Sequence, residues 1–174
     1  MKAVLISIQP KWCELIASGK KTVEVRKTKP KLDVPFKCYI YFTKWKDNTY
    51  WKNHYKDKLG KVIGEFVCDC LISLKADNHI QAYYNNTIAT CLTDAEIVQY
   101  ANNGRLYYWN ISDLVIYDKP KELSEFRKFI SFLEGESIEE LEKCGMNNLE
   151  LKRPPQSWCY VESLQDNDNP SVTA

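Results

Sequence analysis

Four ionisable side chains lie close together near the N-terminus: Lys20, Lys21, Glu24 and Arg26. A carboxylate of this kind can take a proton as a general base or accept hydrogen bonds from a ligand. Lysine and arginine can bind phosphate groups or stabilise an oxyanion. The combination therefore indicates either proton-transfer chemistry or the binding of an anionic, hydrogen-bonding ligand.

The residues around this group alternate between apolar and polar. Read as a strand from Thr22, the chain turns Val23 and Val25 to one face and Thr22, Glu24 and Arg26 to the other. We expect the valines to face the core and Glu24 to pair with Arg26. Two interpretations remain open: an exposed strand with a surface ion pair, or a polar group that lines a pocket.

The preceding residues predict the elements that would position this group. Residues 3–8 (AVLISI) form an apolar run typical of a buried strand. Pro10 suits the first position of a helix, and Gly19 suits the left-handed residue that ends one. Lys20 and Lys21 then follow the helix, where cations favour the negative end of its dipole.

Residues 36–43 (FKCYIYFT) form the clearest predicted strand, with an apolar and a polar-aromatic face. Tyr39 and Tyr41 on the second face suit the stacking of a nucleic-acid base. Tyrosine is also common in strands because of its β propensity, so the pattern alone leaves both explanations open. The apolar face consists of Phe36, Cys38, Ile40 and Phe42, and the other of Lys37, Tyr39, Tyr41 and Thr43.

The rest of the chain adds strands and short helices. Residues 60–74 and 106–117 each predict one long strand, the first with a bulge or bend at Gly64 and the second bent near residues 110–113. Residues 93–96 (TDAE) form a capping box for a helix to about Asn102. Residues 154–161 predict a last strand. Together these elements predict an α+β fold built on a curled or closed sheet of about six strands.

Length and charge point to one domain with a marked asymmetry. The 174 residues, 44% of them hydrophobic and 27% charged, suffice for a single globular core. Residues 1–63 carry 15 lysines and arginines against 5 acids, and residues 64–174 carry 9 against 18. A basic, aromatic-rich half favours a polyanion or nucleotide partner, unless the two halves interleave and their fields cancel.

Cysteine use and hydropathy indicate a cytoplasmic protein without a membrane partner. No apolar run has the length of a membrane span or of a signal-peptide core. Seven cysteines, an odd number, are expected to be reduced thiols. Cys68 and Cys70 share one face of the predicted strand, but the spacing of a zinc site is missing and the sequence has 2 histidines. No metal site is therefore predicted.

The motif Gly19-x-Lys21-x-x-Glu24-x-Arg26 resembles the signature of the ASCH domain, a relative of the PUA RNA-binding fold, which reads Gly-x-Lys-x-x-Glu-x-Arg. The likeness includes residues 6–12 (ISIQPKW), 35–43, 60–64 and 154–161. Residues 44–59 and 131–151 fall outside it and are interpreted as insertions. We thus expect one domain over residues 1–164 and a flexible tail over 165–174.

This resemblance implies a PUA-like mixed β-barrel, closed or partly open, of about six strands with two to four short helices. It also implies a cleft between the barrel and the first helix, lined by the signature residues. The implied ligands are RNA, a nucleotide or a modified nucleoside, and the oligomeric state stays open. The predicted ligand-binding residues are Gln9, Trp12, Lys20, Thr22, Arg26, Tyr39, Tyr41 and Trp158.

The resemblance also implies a hydrolase as an alternative. Some members hydrolyse N4-acetylcytidine with a strand threonine as nucleophile, but this chain has Glu24 at that place, so the covalent route does not carry over. Glu24 could instead act as general base, with Lys21 or Arg26 stabilising the oxyanion. Other members cleave RNA, and only that reaction would call for a cofactor, a divalent metal. In the N4-acetylcytidine hydrolases the motif lysine and a downstream Glu assist; no downstream Glu of this chain is matched to that residue, and Glu65 is the nearest candidate on a strand.

A third interpretation is an accessory domain. It would bind a small metabolite in the cleft, or a protein partner through the predicted acidic helix around residues 139–142.

Overall fold

The computed structural model describes residues 1–44, 49–75, 90–129 and 149–164. These residues form eight strands, three α-helices and one 3-10 helix. In chain order the elements are β1 (Lys2–Ile8), α1 (Pro10–Ala17), β2 (Val23–Arg26), β3 (Phe36–Phe42), α2 (Thr49–His54), β4 (Val62–Cys68), β5 (Leu71–Lys75), α3 (Asp94–Ala101), β6 (Arg105–Asn110), β7 (Ser112–Lys121), the 3-10 helix (Leu123–Glu125) and β8 (Trp158–Glu162).

The strands pair into two sheets. The five-stranded sheet has the order β7-β4-β3-β1-β8, and the three-stranded sheet has the order β2-β6-β5. Only β1 and β3 are parallel; the other pairs of described strands are antiparallel. The α+β class is confirmed, whereas pairing within the described residues does not close a barrel.

Eight strands occur where six were predicted because two long runs are each divided between the sheets. Residues 60–74 form β4 and β5, and residues 106–117 form β6 and most of β7. Asn110 joins the two points at which these runs pass from one sheet to the other. Its backbone N–H donates to the Cys70 carbonyl at 2.9 Å, and its side-chain amide donates to Asp69 at 2.7 Å. Cys68 is consequently buried and Cys70 exposed, so their predicted shared face is wrong.

The irregularity predicted at Gly64 is present in β4. The register of β4 against β7 shifts between Val62 and Gly64. A Cβ atom at Gly64 would lie 2.3 Å from the carbonyl oxygen of Val115 on β7. The close approach of these two strands therefore requires glycine at this position.

Both faces of β3 are buried. Phe36, Cys38, Ile40 and Phe42 belong to the core under α1, as predicted. Tyr39 is 0% exposed and Tyr41 is 3% exposed in a second core cluster on the opposite side of the sheet. The Tyr39 ring lies 5.0 Å from that of Phe126. The prediction that these tyrosines face a ligand is wrong, because the chain after β7 covers them.

The basic and acidic halves of the chain interleave. Strands β1 and β3 pair with β8 and β4, and β2 pairs with β6, so each sheet combines strands from both halves. Ion pairs cross between the halves, with Lys37 at 3.0 Å from Glu65 and Lys61 at 2.9 Å from Glu122. The charge asymmetry of the sequence thus does not produce two separate lobes.

Some predictions concern residues that lie partly or wholly outside the described ranges. Helix α2 occupies part of residues 44–59, which were interpreted as an insertion. The predicted acidic helix and the tail at 165–174 lie outside the described residues. No helix among the described residues combines the length and hydrophobicity needed to cross a membrane. The six described cysteines are free thiols.

Candidate functional site

Helix α1 and the turn after it position the ionisable residues Lys21, Glu24 and Arg26 close together. Pro10 occupies the first turn of α1, and Gly19 has a φ of +71°, the left-handed conformation that ends the helix. The N–H of Lys21 then donates to the carbonyl of Leu15 at 2.9 Å. This reversal brings β2 back alongside α1.

The predicted alternation along β2 is present. Val23 and Val25 are buried in a cluster that includes Ile97 of α3. Glu24 and Arg26 lie on the other face of the strand, and Glu24 is only 6% exposed. The interpretation as a surface ion pair is therefore wrong, and the polar group lines a groove.

Glu24 lies between two cations. Its Oε1 is 3.0 Å from Nε of Arg26 and its Oε2 is 3.6 Å from Nζ of Lys21. Each cation also donates to a backbone carbonyl, Arg26 to Ser7 at 2.8 Å and Lys21 to Thr90 at 2.7 Å. The network thus links β2 to the end of β1 and to the residues before α3.

One oxygen of this carboxylate has no hydrogen-bond partner within the described ranges. Oε2 of Glu24 is buried and has no hydrogen-bond partner among the described residues, since Lys21 is too distant for one. Nε of Arg26 is likewise without an aligned hydrogen bond, so its contact with Glu24 is ionic. A buried, ionisable acceptor held between cations is an unusual arrangement that a ligand could complete.

The groove beside this network has a volume of about 530 Å³. Trp12 of α1 and Tyr100 of α3 supply its aromatic side chains, while Glu24 and Arg26 belong to the β2 side. Lysine ammonium groups lie near both rings: Nζ of Lys21 is 5.3 Å from the Trp12 ring centre. The lining residues are Ser7, Ile8, Gln9, Trp12, Lys21, Glu24, Val25, Arg26, Thr43, Lys44, Leu92, Glu96, Tyr100 and Gln156.

Half of the predicted site residues meet in this groove. They are Gln9, Trp12, Lys21, Glu24 and Arg26. Lys20 instead lines a second cavity of about 460 Å³ beside Tyr55. Thr22 precedes β2 and is exposed outside the groove, while its carbonyl accepts the N–H of Ile111 at 2.9 Å.

The remaining predicted residues lie elsewhere. Tyr39 and Tyr41 are in the second core cluster, so they cannot stack on a ligand in the groove. Trp158 packs on Trp109, with ring centres 6.2 Å apart, and does not line the groove. Glu65 lies away from Glu24: it accepts from Lys37 and from Tyr117, and burial together with this bond raises the pKa of Tyr117.

Sequence reasoning missed the contribution of α3. Thr93 and Glu96 form the predicted capping box, in which the Glu96 carboxylate accepts the N–H of Thr93 at 2.8 Å. Glu96 and Tyr100 also line the groove, one helical turn apart on the same face. The capping signal predicts where α3 begins, but no sequence pattern predicts that this helix packs beside β2.

Ser7 and Gln156 were also missed. The hydroxyl of Ser7 donates to the carbonyl of Pro155 at 2.7 Å, which places Gln156 at the groove.

In the described ranges, no three His, Cys, Asp or Glu side chains lie close enough together to hold a metal ion.

Comparison with known proteins gives a consistent family. The sequence model of the ASCH domain matches residues 6–155. The crystal structure of ASCH from Zymomonas mobilis is 19% identical, with a TM-score of 0.54, and covers 92% of this chain and 87% of its own. A point mutant of that protein superposes with a TM-score of 0.55 at 19% identity, covering 93% and 91% of the two chains. No curated protein matches the sequence.

Burial of Lys21 gives a testable pH dependence. Burial lowers the pKa of Lys21 and outweighs the opposing effect of Glu24. Lys21 therefore loses its proton at lower pH in the folded chain than in the unfolded chain, so its contribution to stability rises as the pH approaches about 10.4, the usual lysine value. We expect the difference in unfolding free energy between wild type and Lys21→Met to shift in favour of the wild type over this range.

Urea unfolding of both proteins at several pH values measures this difference. Other groups that titrate in the same range are common to the two chains and cancel. A difference that stays constant or moves in favour of Lys21→Met would contradict the inferred burial of the ammonium group.

Proposed function

This chain belongs to the ASCH domain family, and on that premise we propose that its groove binds single-stranded RNA or a nucleotide by taking up one unpaired base. The observation that carries the proposal is that Glu24 lines a groove of about 530 Å³ and its buried Oε2 has no hydrogen-bond partner in the described part of the chain. We also propose that the two sheets are an opened form of the PUA-like barrel that the family implies.

A carboxylate oxygen between two cations suits the amino group of a base. Glu24 is in ion-pair contact with Lys21 and Arg26, and a carboxylate group of this kind can only accept hydrogen bonds. Cytosine and adenine each present an exocyclic amino donor on their pairing edge, whereas uracil presents a carbonyl oxygen at the same place. The groove is thus expected to prefer amino-bearing bases.

The rest of the groove suits the ring and the phosphate. The partly exposed indole of Trp12 offers a surface on which a base can stack. Lys44 lines the groove and is exposed, and Lys27 lies at its edge with Nζ 5.0 Å from the Tyr100 ring centre. These cations can approach a phosphate without the cost of burial.

We expect CMP and AMP to bind more tightly than UMP, by about tenfold, the effect of one discriminating hydrogen bond of roughly 1–2 kcal/mol. Glu24→Gln should reduce this preference, because an amide also donates and no longer selects for an amino group. Isothermal titration calorimetry with the separate monophosphates measures both quantities.

Two controls accompany this experiment. Glu14→Gln removes a carboxylate that bonds to Tyr55 and lines the other cavity, and it should leave nucleotide affinity unchanged. Glu24→Gln deprives two cations of their counter-charge, so thermal unfolding must show that this variant folds. Trp12→Leu is an independent variant, and it should weaken the binding of every nucleotide. Absence of binding at millimolar nucleotide and to short RNA would reject the proposal and favour an accessory domain.

A hydrolase is the second candidate function, and the position of Lys21 beside Oε2 of Glu24 favours it. Oε2 of Glu24 can take a proton from water, and Nζ of Lys21 at 3.6 Å is near enough to stabilise the charge that develops after attack. The lowered pKa of Lys21 also eases the transfer of its proton to a leaving group. The substrate would be an RNA phosphodiester or an amide of the N4-acetylcytidine type.

Incubation of the protein with labelled RNA and with N4-acetylcytidine, each with and without Mg²⁺, tests this candidate. Glu24→Gln should lower turnover by about 100-fold or more, the usual contribution of a general base, while Glu14→Gln should not. Full activity in Glu24→Gln would exclude the general-base role, and no turnover by the wild type on either substrate would leave binding as the function.

A further inference from the structure

We propose that a second surface next to the groove binds the nucleotides that flank the base taken up by Glu24. We call it the β8 surface and define it by Lys2, Lys29, Lys31, Trp158 and Tyr160. Its proposed ligand is single-stranded RNA. The inference rests on the proposed function of the groove, and it assigns a role to Trp158, which lies outside that groove.

Two aromatic side chains form the centre of the β8 surface. Trp158 and Tyr160 are two residues apart on an edge strand of the five-stranded sheet, so they lie on the same face. Both are partly exposed, and their ring centres are 5.4 Å apart in an edge-to-face arrangement. Partly exposed aromatic rings of this kind are the usual platforms for unpaired bases.

The loop after β2 holds two lysines beside these rings. Pro30 is buried and Leu32 packs against the core, which leaves the alternate residues Lys29 and Lys31 exposed. The loop is tied to β8 by two hydrogen bonds. Nε1 of Trp158 donates to Thr28 at 3.0 Å, and the backbone N–H of Lys31 donates to the Tyr160 hydroxyl at 2.6 Å.

The charge of the β8 surface suits phosphate groups. Nζ of Lys2 lies 3.8 Å from the Tyr160 ring centre and adds a third cation. Two acidic residues are near: Asp33 is exposed on the same loop, and Glu162 lies 3.8 Å from Arg127. Cations therefore outnumber acids, and their combination with stacked aromatic rings fits RNA better than an acidic peptide.

The β8 surface continues directly from the groove. Ser7 lines the groove, and its N–H donates to the carbonyl of Ser157 at 2.9 Å. Gln156 also lines the groove and precedes Trp158 by two residues, roughly 6.6 Å along an extended chain. On the other side, Lys27 leads from Arg26 into the loop. A strand of RNA leaving the groove past Gln156 therefore meets Trp158 next.

The test compares ligands of increasing length. Competition against a fluorescent oligocytidylate measures the affinity of CMP and of cytidylates of two, four and eight nucleotides. Affinity should rise between one and four nucleotides. The double variant Lys29→Ala/Lys31→Ala should lose most of this gain and keep the wild-type affinity for CMP. Its slope of log affinity against log salt for the tetramer should fall by about 1.4, two contacts at roughly 0.7 each.

Two further variants make the result specific. Lys75→Ala/Lys119→Ala removes the same charge from exposed positions on β5 and β7. Strand β7 is at the edge of its sheet opposite β8, and β5 is at the edge of its sheet opposite β2. This double variant should leave the dependence of affinity on RNA length unchanged. Trp158→Leu, shown to fold by thermal unfolding, should weaken tetramer binding about fivefold or more. Such an aromatic effect would not follow from charge alone.

The outcomes separate the two proposals. Equal affinity of the tetramer and CMP would overturn the β8 surface and leave the groove proposal in place. An equal loss in the loop and control double variants would also overturn it, since the effect would then be general charge. If CMP fails to bind while oligonucleotide binding still depends on Lys29 and Lys31, the β8 surface stands and the groove proposal fails.

Discussion

The structure depends on the burial of Glu24 between Lys21 and Arg26. Removing these charges from water costs several kcal/mol per ion, and their mutual attraction offsets the cost only when hydrogen bonds satisfy the remaining polar atoms. Here each cation donates to a backbone carbonyl, Arg26 to Ser7 and Lys21 to Thr90, but Nε of Arg26 has no hydrogen-bond partner in the part of the chain that the structure describes. The carboxylate keeps one oxygen without such a bond among the described residues. A buried network of this kind is a costly way to stabilise a fold, and this cost supports the proposed role of the network in binding a ligand.

This network also joins the parts of the fold. Arg26 ties the three-stranded sheet to the end of β1 in the five-stranded sheet, and Lys21 ties the turn after α1 to the residues before α3. These ties connect β2 and the turn before it to neighbouring parts of the chain that line the groove or precede α3. The proposed binding site and the tertiary structure therefore share the same three side chains, and a change in any of them is expected to affect both.

Short-range patterns predicted the part of the site that local structure determines. The helix stop at Gly19 and the alternation along β2 follow from backbone rules, and they place Glu24 and Arg26 on one face. Long-range packing determined the rest. Tyr39 and Tyr41 have the alternation of an exposed face, but the chain after β7 covers them. Glu96 and Tyr100 reach the groove through the packing of α3, and no local signal in the sequence encodes that contact. The two long predicted strands divide between sheets for the same reason, since the choice of partner strand is not local.

The most direct test is a crystal structure of the protein with bound CMP. We predict that the cytosine amino group lies about 2.7–3.2 Å from Oε2 of Glu24, with the ring against Trp12 and the phosphate toward the exposed lysines at the edge of the groove. A complex in which CMP binds elsewhere, while Oε2 of Glu24 accepts a hydrogen bond from the protein itself, would contradict it.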